Sequence, residues 1–185
     1  DRIRALADLV PCPNPHWREL FYRWVLGMVA HWRGIDKQHG NNTSPLLVGP
    51  QGYRKSTFCR ILLPPELRFG YTDSIDFKSK QEAERSLGRF FLINIDEFDQ
   101  INANQQGFLK HLLQKPVANL RKPYGTTIQE MRRYASFIGT SNLKDLLTDP
   151  SGSRRFICIE VTGPIQTNVT INYHQLYAQA MHDIM

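Results

Sequence analysis

The sequence predicts an α/β fold: a mainly parallel central sheet flanked by helices, preceded by an N-terminal helical segment. Three observations carry this. Short continuous apolar runs, such as Pro45-Leu46-Leu47-Val48 and Phe90-Phe91-Leu92-Ile93, have the pattern of strands buried on both faces. Segments whose apolar residues recur at three- and four-residue steps alternate with them. The polar clusters with chemical potential fall at the ends of these runs or just before one, which is where a parallel α/β sheet carries its site.

The elements follow in order. Residues 3–10 form a short helix, stopped by Pro11-Cys12-Pro13-Asn14-Pro15. Residues 16–33 place Leu20, Phe21, Trp24, Val25, Met28, Val29 and Trp32 on one broad face of an amphipathic helix. A polar loop leads to the first strand at 45–48, a glycine-bearing turn, and a helix over 55–63 that Pro64-Pro65 ends. Residues 78–87 are rich in helix formers, and 89–95 form a second strand. A helix over 103–114 turns Phe108, Leu109, Leu112 and Leu113 inward. Residues 117–134 are a basic region with a hairpin about Pro123-Tyr124-Gly125. Strands at 134–139 and 156–161 and a helix over 173–185 complete the chain. We divide it into a helical segment, 1–40, packed on a core, 41–185, as one domain overall.

The 185 residues are enough to bury a sizeable core, and 41% hydrophobic with 22% charged residues is ordinary for a globular domain. No run approaches the roughly 20 apolar residues that span a bilayer, so no membrane partner is expected. Cys12, Cys59 and Cys158 are dispersed, with no CxxC pair. This argues for a reducing, cytoplasmic location and against disulfides or structural zinc. The six histidines lack ligand spacing, and the net charge of +6 favours polyanionic partners. Residue 1 is Asp, which reads as a segment of a longer protein or a processed start.

Gly49-Pro50-Gln51-Gly52-Tyr53-Arg54-Lys55-Ser56 has the length and order of a phosphate-binding P-loop, and Thr57 can also reach phosphate oxygens. The glycines turn backbone N–H groups toward an anion, Lys55 supplies charge to the outer phosphates, and Ser56 supplies a hydroxyl for Mg²⁺. Arg54 stands where the usual pattern has Gly; it serves there only with ordinary backbone angles and a side chain turned outward or onto phosphate. A surface turn that happens to hold these residue types is the bland alternative; the strand before and the helix after weigh against it.

The second strand ends in Asp96-Glu97, a pattern in which the first carboxylate holds a metal and the second polarises water. An acidic helix cap is the alternative. The third ends in Thr140-Ser141-Asn142, with Asn142 either orienting water or phosphate as a sensor or forming a turn. Arg154 and Arg155 precede the fourth strand. One of them can reach into a neighbouring subunit's phosphoryl site, or both can belong to a solvated turn; sequence does not choose between them. Arg121, Lys122, Tyr124, Arg132 and Arg133 form a basic patch with an interleaved aromatic, fit for tracking a nucleic-acid backbone and stacking on a base, although charged hairpins are often only solvated.

These motifs, with Asn119-Leu120-Arg121-Lys122-Pro123-Tyr124 and Gly152-Ser153-Arg154-Arg155-Phe156, resemble the virulence-associated protein E family of P-loop proteins, related to superfamily 3 helicases and often following a primase-like region. The resemblance runs from about Trp17 to about Tyr177. It implies an additional-strand (ASCE/AAA-like) P-loop NTPase fold and Mg²⁺-dependent ATP hydrolysis. It also implies ring or partial-ring assembly of identical subunits, DNA as partner (single-stranded), and functional roles for Arg121 and the Arg154-Arg155 pair. Primase motifs are absent from these residues. Two rivals stand beside an ATPase acting on DNA: a degenerate P-loop module that binds without turnover, motivated by Arg54, and a small-molecule kinase, against which the Asp96-Glu97 pair counts.

Overall fold

The computed structural model describes residues 1–35, 38–121, 127–142 and 154–185. Helix α1, Arg2–Ala7, starts at Asp1, whose carboxylate accepts the Arg4 N–H at 3.0 Å. Helix α2, Trp17–Arg33, ends at Gly34, whose left-handed conformation (φ 67°) lets its N–H turn back to the last carbonyls. Its apolar stripe is buried from Trp17 through Val29. Two indoles in that stripe also donate hydrogen bonds, Trp17 Nε1 to Ala7 O at 2.9 Å and Trp24 Nε1 to Phe137 O at 3.1 Å. Each such aromatic contributes about 1.5–3 kcal/mol by burial, so α2 is held by its side chains more than by helix propensity.

Strand β1, Ser44–Val48, is buried at every position. Helix α3, Lys55–Ile61, follows the glycine-bearing turn. A 3-10 turn, Pro65–Gly70, leads into the two-residue strand β2, Tyr71–Thr72; neither was anticipated. Then come helix α4, Lys80–Arg89, strand β3, Leu92–Ile95, a 3-10 turn at Phe98–Gln100, and helix α5, Ala103–Gln114. The start of α5 is a capping box between Asn102 and Gln105. Strands β4, Val117–Arg121, and β5, Ile128–Arg132, form an antiparallel pair bracketing the expected hairpin tip, which lies outside the described residues. Strands β6, Ser136–Ser141, and β7, Phe156–Glu160, and helix α6, Tyr173–Asp183, close the chain.

The main sheet has the order β2-β3-β6-β1-β7, and every pairing is parallel. Successive strand residues feed opposite faces. Leu47 and Ile138 pack with α1, α2, α3 and α6, while Leu46 and Phe137 pack with α4 and α5. Both faces are covered, which is why these strands read as unbroken apolar runs. Because β6 lies between β1 and β3, the carboxyl ends of all three strands open on one edge.

Some expected boundaries move. The acidic strand starts at Leu92 rather than 89, because Arg89 still belongs to α4. The third strand runs from Ser136 to Ser141 rather than from Tyr134. On α5, Phe108 is half-buried and Gln106 takes a buried place.

Candidate functional site

The loop after β1 is shaped by close backbone approaches. Gly49 N–H donates to Ser141 O at 3.1 Å, and a Cβ at Gly49 would stand 2.8 Å from the Val161 carbonyl oxygen. A side chain there has no room. Gly52 has φ 86° with nothing within 4 Å of a built Cβ, so it is needed for conformation rather than for space. Arg54 departs from expectation. Its backbone is not ordinary but left-handed, φ 60° and ψ 28°, because the chain must reverse immediately before α3 begins at Lys55. For a residue with a Cβ this costs about 1–2 kcal/mol. Its side chain is exposed at the rim of the cleft.

A cleft of about 350 Å³ opens over this loop, lined by Gln51, Gly52, Arg54, Lys55, Ser56, Thr57, Asp96, Glu97, Thr140, Ser141 and Asn142. Tyr53 instead turns its ring to the core, and its carbonyl accepts the Ile165 N–H at 3.0 Å. Pro50 contributes its carbonyl to Lys55. The Lys55 ammonium donates to Gly49 O at 2.6 Å, Pro50 O at 2.8 Å and Asn142 Oδ1 at 3.2 Å. Burial pushes its pKa below the ordinary lysine value, against the pull of Asp96 and Asp99. Its three acceptors are neutral, weaker partners for a cation than a phosphate oxygen.

Across the cleft, Ser56 Oγ donates to Asp96 Oδ1 at 2.7 Å, and the Thr140 hydroxyl donates to the same oxygen. Glu97, next along, holds a second left-handed backbone, φ 50° and ψ 52°, with its side chain exposed to the cleft. Two non-glycine residues in this conformation, both lining one cleft, are local strain concentrated where it can serve a site. Asp99 Oδ1 accepts from Ser141 Oγ at 2.8 Å and from Asn142 N–H at 3.3 Å. Burial raises its pKa, but the hydrogen bonds from Ser141, Gln100 and Asn142 outweigh that, and the net shift is downward. Thr140 and Asp99 were not singled out from sequence. The signal was there: a hydroxyl one residue ahead of the strand's last, and a third carboxylate three residues after the first.

The residues present fit a magnesium nucleotide. A serine hydroxyl and a carboxylate already in contact form a pair suited to a hard cation that keeps waters and phosphate oxygens as its other ligands. Among the described residues no group of three or more His, Cys, Asp or Glu side chains gathers, so an all-protein cage is not offered.

Other expected residues lie elsewhere. Arg154 is exposed and Arg155 half-buried, its guanidinium facing the Gln114 amide at the end of α5; neither lines the cleft. Arg133 must be corrected as a nucleic-acid contact. It is 1% exposed, donating to Ala135 O at 2.7 Å, Leu113 O at 2.9 Å and Lys115 O at 2.6 Å, with Leu112 O and Asn41 O also in reach. The carbonyls that end α5 satisfy its donors, and burial lowers its pKa to about 10. Arg132 caps α2 instead, donating to His31 O at 3.1 Å and to Trp32 O, with its guanidinium over the Tyr134 ring. Arg121 ends β4, while Lys122 and Tyr124 lie outside the described residues.

An all-parallel sheet in which one strand separates a glycine-lysine-serine turn from an acid-tipped strand defines the P-loop class of α/β fold. The chain belongs to the virulence-associated protein E-like domain family, whose model matches residues 1–184. No curated protein matches it. Among solved structures it is similar to the apo NrS-1 C-terminal region (305–718), at 15% identity and TM-score 0.61, covering 98% of this chain and 43% of that one. A second, A-form apo structure of that region gives 15% and 0.58, covering 96% and 42%. These likenesses concern the fold, and the chain spans less than half of each neighbour. Among the described residues no helix is long and apolar enough to cross a membrane.

Proposed function

We propose that this is an ATP-binding and -hydrolysing domain of helicase type acting on DNA, in the replication of a mobile or phage-like element. One observation carries the reading: three segments distant in sequence bring Lys55, Ser56, Asp96, Glu97 and Asn142 to one cleft, with Ser56 and Asp96 in contact at 2.7 Å. Residues 49–57 would cradle the phosphates through backbone N–H groups, and Lys55 would leave its carbonyls for an outer phosphate. Ser56 and Asp96 would hold Mg²⁺. When bound, the metal neutralises phosphate charge. Glu97 takes a proton from the attacking water, and Asn142 orients that water or the terminal phosphate. Arg154 or Arg155 acts on the cleft of the next copy in a homo-oligomeric ring or partial ring. Arg121, Lys122 and Tyr124 remain for single-stranded DNA. Residues 1–40 serve as a helical brace on the 41–185 core, and a primase-like region in the same longer chain fits this role.

The test is ATP hydrolysis measured with and without single-stranded DNA over a range of protein concentration. Turnover should rise with both. A rate flat in both variables overturns the reading.

Arg54 favours a second reading, a P-loop module that binds nucleotide or DNA and organises an assembly without efficient turnover. A left-handed, side-chain-bearing residue beside the phosphates restricts how closely the backbone can approach them. Arg54→Gly decides between the two: a large gain in hydrolysis supports an impaired loop, and robust turnover by the unaltered protein removes the second reading.

A further inference from the structure

The turn after the acidic pair holds a carboxylate that the chemistry above does not use. Asp99 sits in the 3-10 turn Phe98–Gln100 and is not among the residues lining the cleft. Its Oδ1 accepts from Ser141 Oγ at 2.8 Å and Asn142 N–H at 3.3 Å, while its Oδ2 accepts from Gln100 Nε2 at 2.9 Å. Asn142 lies one residue beyond β6, outside the strand ladder, and its Oδ1 accepts from Lys55 Nζ at 3.2 Å. The chain of contacts is therefore Asp99 to the Asn142 backbone, and the Asn142 side chain to the lysine of the loop.

Asp96 and Asp99 grip successive residues of the same strand end. Asp96 takes the Thr140 hydroxyl; Asp99 takes the Ser141 hydroxyl and the Asn142 N–H. Their situations differ. Asp96 lines the cleft and must share its oxygens with any cation bound there. Asp99 stands behind it, so its contacts can persist through binding and turnover. Hydrogen bonds to an ionised carboxylate are roughly twice as strong as neutral ones, which makes this a firm anchor for a residue just past the end of a strand.

We infer that Asp99 is a positioning residue: through the Ser141 hydroxyl and the Asn142 N–H its carboxylate fixes the Asn142 amide opposite Lys55, setting the hydrolytic rate while leaving nucleotide affinity almost untouched. This rests on the ATPase reading. A displacement of about 1 Å in a positioning group can cost on the order of 100-fold in rate, whereas Lys55 keeps its shorter contacts to the Gly49 and Pro50 carbonyls, which hold it at the loop without Asn142.

The test compares Asp99→Ala, Asp99→Asn, Asn142→Ala and the Asp99→Ala/Asn142→Ala double variant. Turnover and the dissociation constant for a fluorescent ATP analogue are measured on each. Asp99→Ala should lower kcat about 10- to 100-fold with affinity changed less than about threefold. Asp99→Asn should recover part of the rate, because its amide oxygen can accept both bonds though without the charge that strengthens them. The double variant should be no slower than Asn142→Ala alone, since the two residues act in series. Full activity in Asp99→Ala, an Asn variant as slow as the Ala variant, or losses that multiply in the double variant would each overturn the inference. If the unaltered protein hydrolyses nothing, the ATPase reading falls, and the Asn142 backbone amide, followed by NMR, then decides. A shifted, faster-exchanging Asn142 amide in Asp99→Ala, with Gly139 unchanged, sustains the positioning role; an unmoved one ends it. Should Asp99→Ala fail to fold, Ser141→Ala removes one arm of the clamp and is read in the same way, a lowered kcat at unchanged affinity supporting the role and an unchanged kcat opposing it.

Discussion

Arg54 occupies backbone space that a loop of this kind gives to glycine, and its φ of 60° sets up a measurable balance. Arg54→Gly relieves about 1–2 kcal/mol of left-handed strain but adds about 0.4–1 kcal/mol of unfolded-chain entropy. The variant should therefore be more stable by about 0.5 kcal/mol in urea unfolding. A loss of 1 kcal/mol or more would mean that the arginine side chain itself holds the loop. Arg133 poses the opposite case. Removing a guanidinium that serves several carbonyls at the end of α5 leaves acceptors buried and unpaired, each costing about 1–3 kcal/mol. Arg133→Met should cost about 3 kcal/mol or more in the same measurement, and Arg133→Lys should not restore it, because an ammonium cannot reproduce the fork. A variant within 1 kcal/mol of the parent would show that water replaces the guanidinium. In sequence, Arg132-Arg133 reads as surface charge, since the burial of Arg133 depends on accepting carbonyls at the end of a helix more than 15 residues upstream. The phosphate-loop residues were legible because their chemistry is local, one turn wide; the angle at Arg54 was not, because nothing in an arginine announces a positive φ.

At the scale of elements, α2 joins the N-terminal segment to the sheet. Trp24 is 2% exposed and donates to the Phe137 carbonyl on β6, so the helix is part of the core that includes α3 and α6. Trp24→Ala should cost about 3–5 kcal/mol and still unfold in a single transition. Two transitions would mean that residues 1–40 fold as a unit of their own. The amphipathic period of α2 and α5 is strong enough that both were bounded in sequence to within a residue. Strand β2 was invisible because two residues cannot establish a period. Phe90 and Phe91 have the residue types of a strand, yet the acidic strand starts only at Leu92. In the fold Phe91 instead packs sideways, its ring 5.7 Å from those of Trp32 and Phe69. The order of strands was also hidden. That β6 separates β1 from β3 depends on pairings between segments far apart in sequence, which a single chain's pattern does not encode.

At the scale of the molecule, the cleft supplies lysine, hydroxyl and carboxylates but draws neither Arg154 nor Arg155 into its walls. Phosphoryl transfer spreads charge over oxygens that a guanidinium stabilises well; the cleft's own guanidinium is Arg54 at its rim, and the ring reading proposed above adds one from a neighbouring copy. Arg155 faces Gln114 within its own chain, whereas Arg154 is exposed just before β7. On the ring reading proposed above, Arg154 is thus better placed than Arg155 to enter a neighbour's cleft across a head-to-tail contact. Arg154→Ala should lower ATP turnover about 1,000-fold or more while leaving nucleotide binding intact, and Glu97→Gln should be inactive for a different reason, the lost base. Mixed in equal amounts, the two inactive variants should recover about a quarter of the parent rate, because random assembly seats an intact Glu97 beside an intact Arg154 in about one interface of four. The recovery should grow with total protein concentration. No recovery on mixing, with both variants folded and able to bind nucleotide, would place the arginine's action within its own chain and remove the need for a ring.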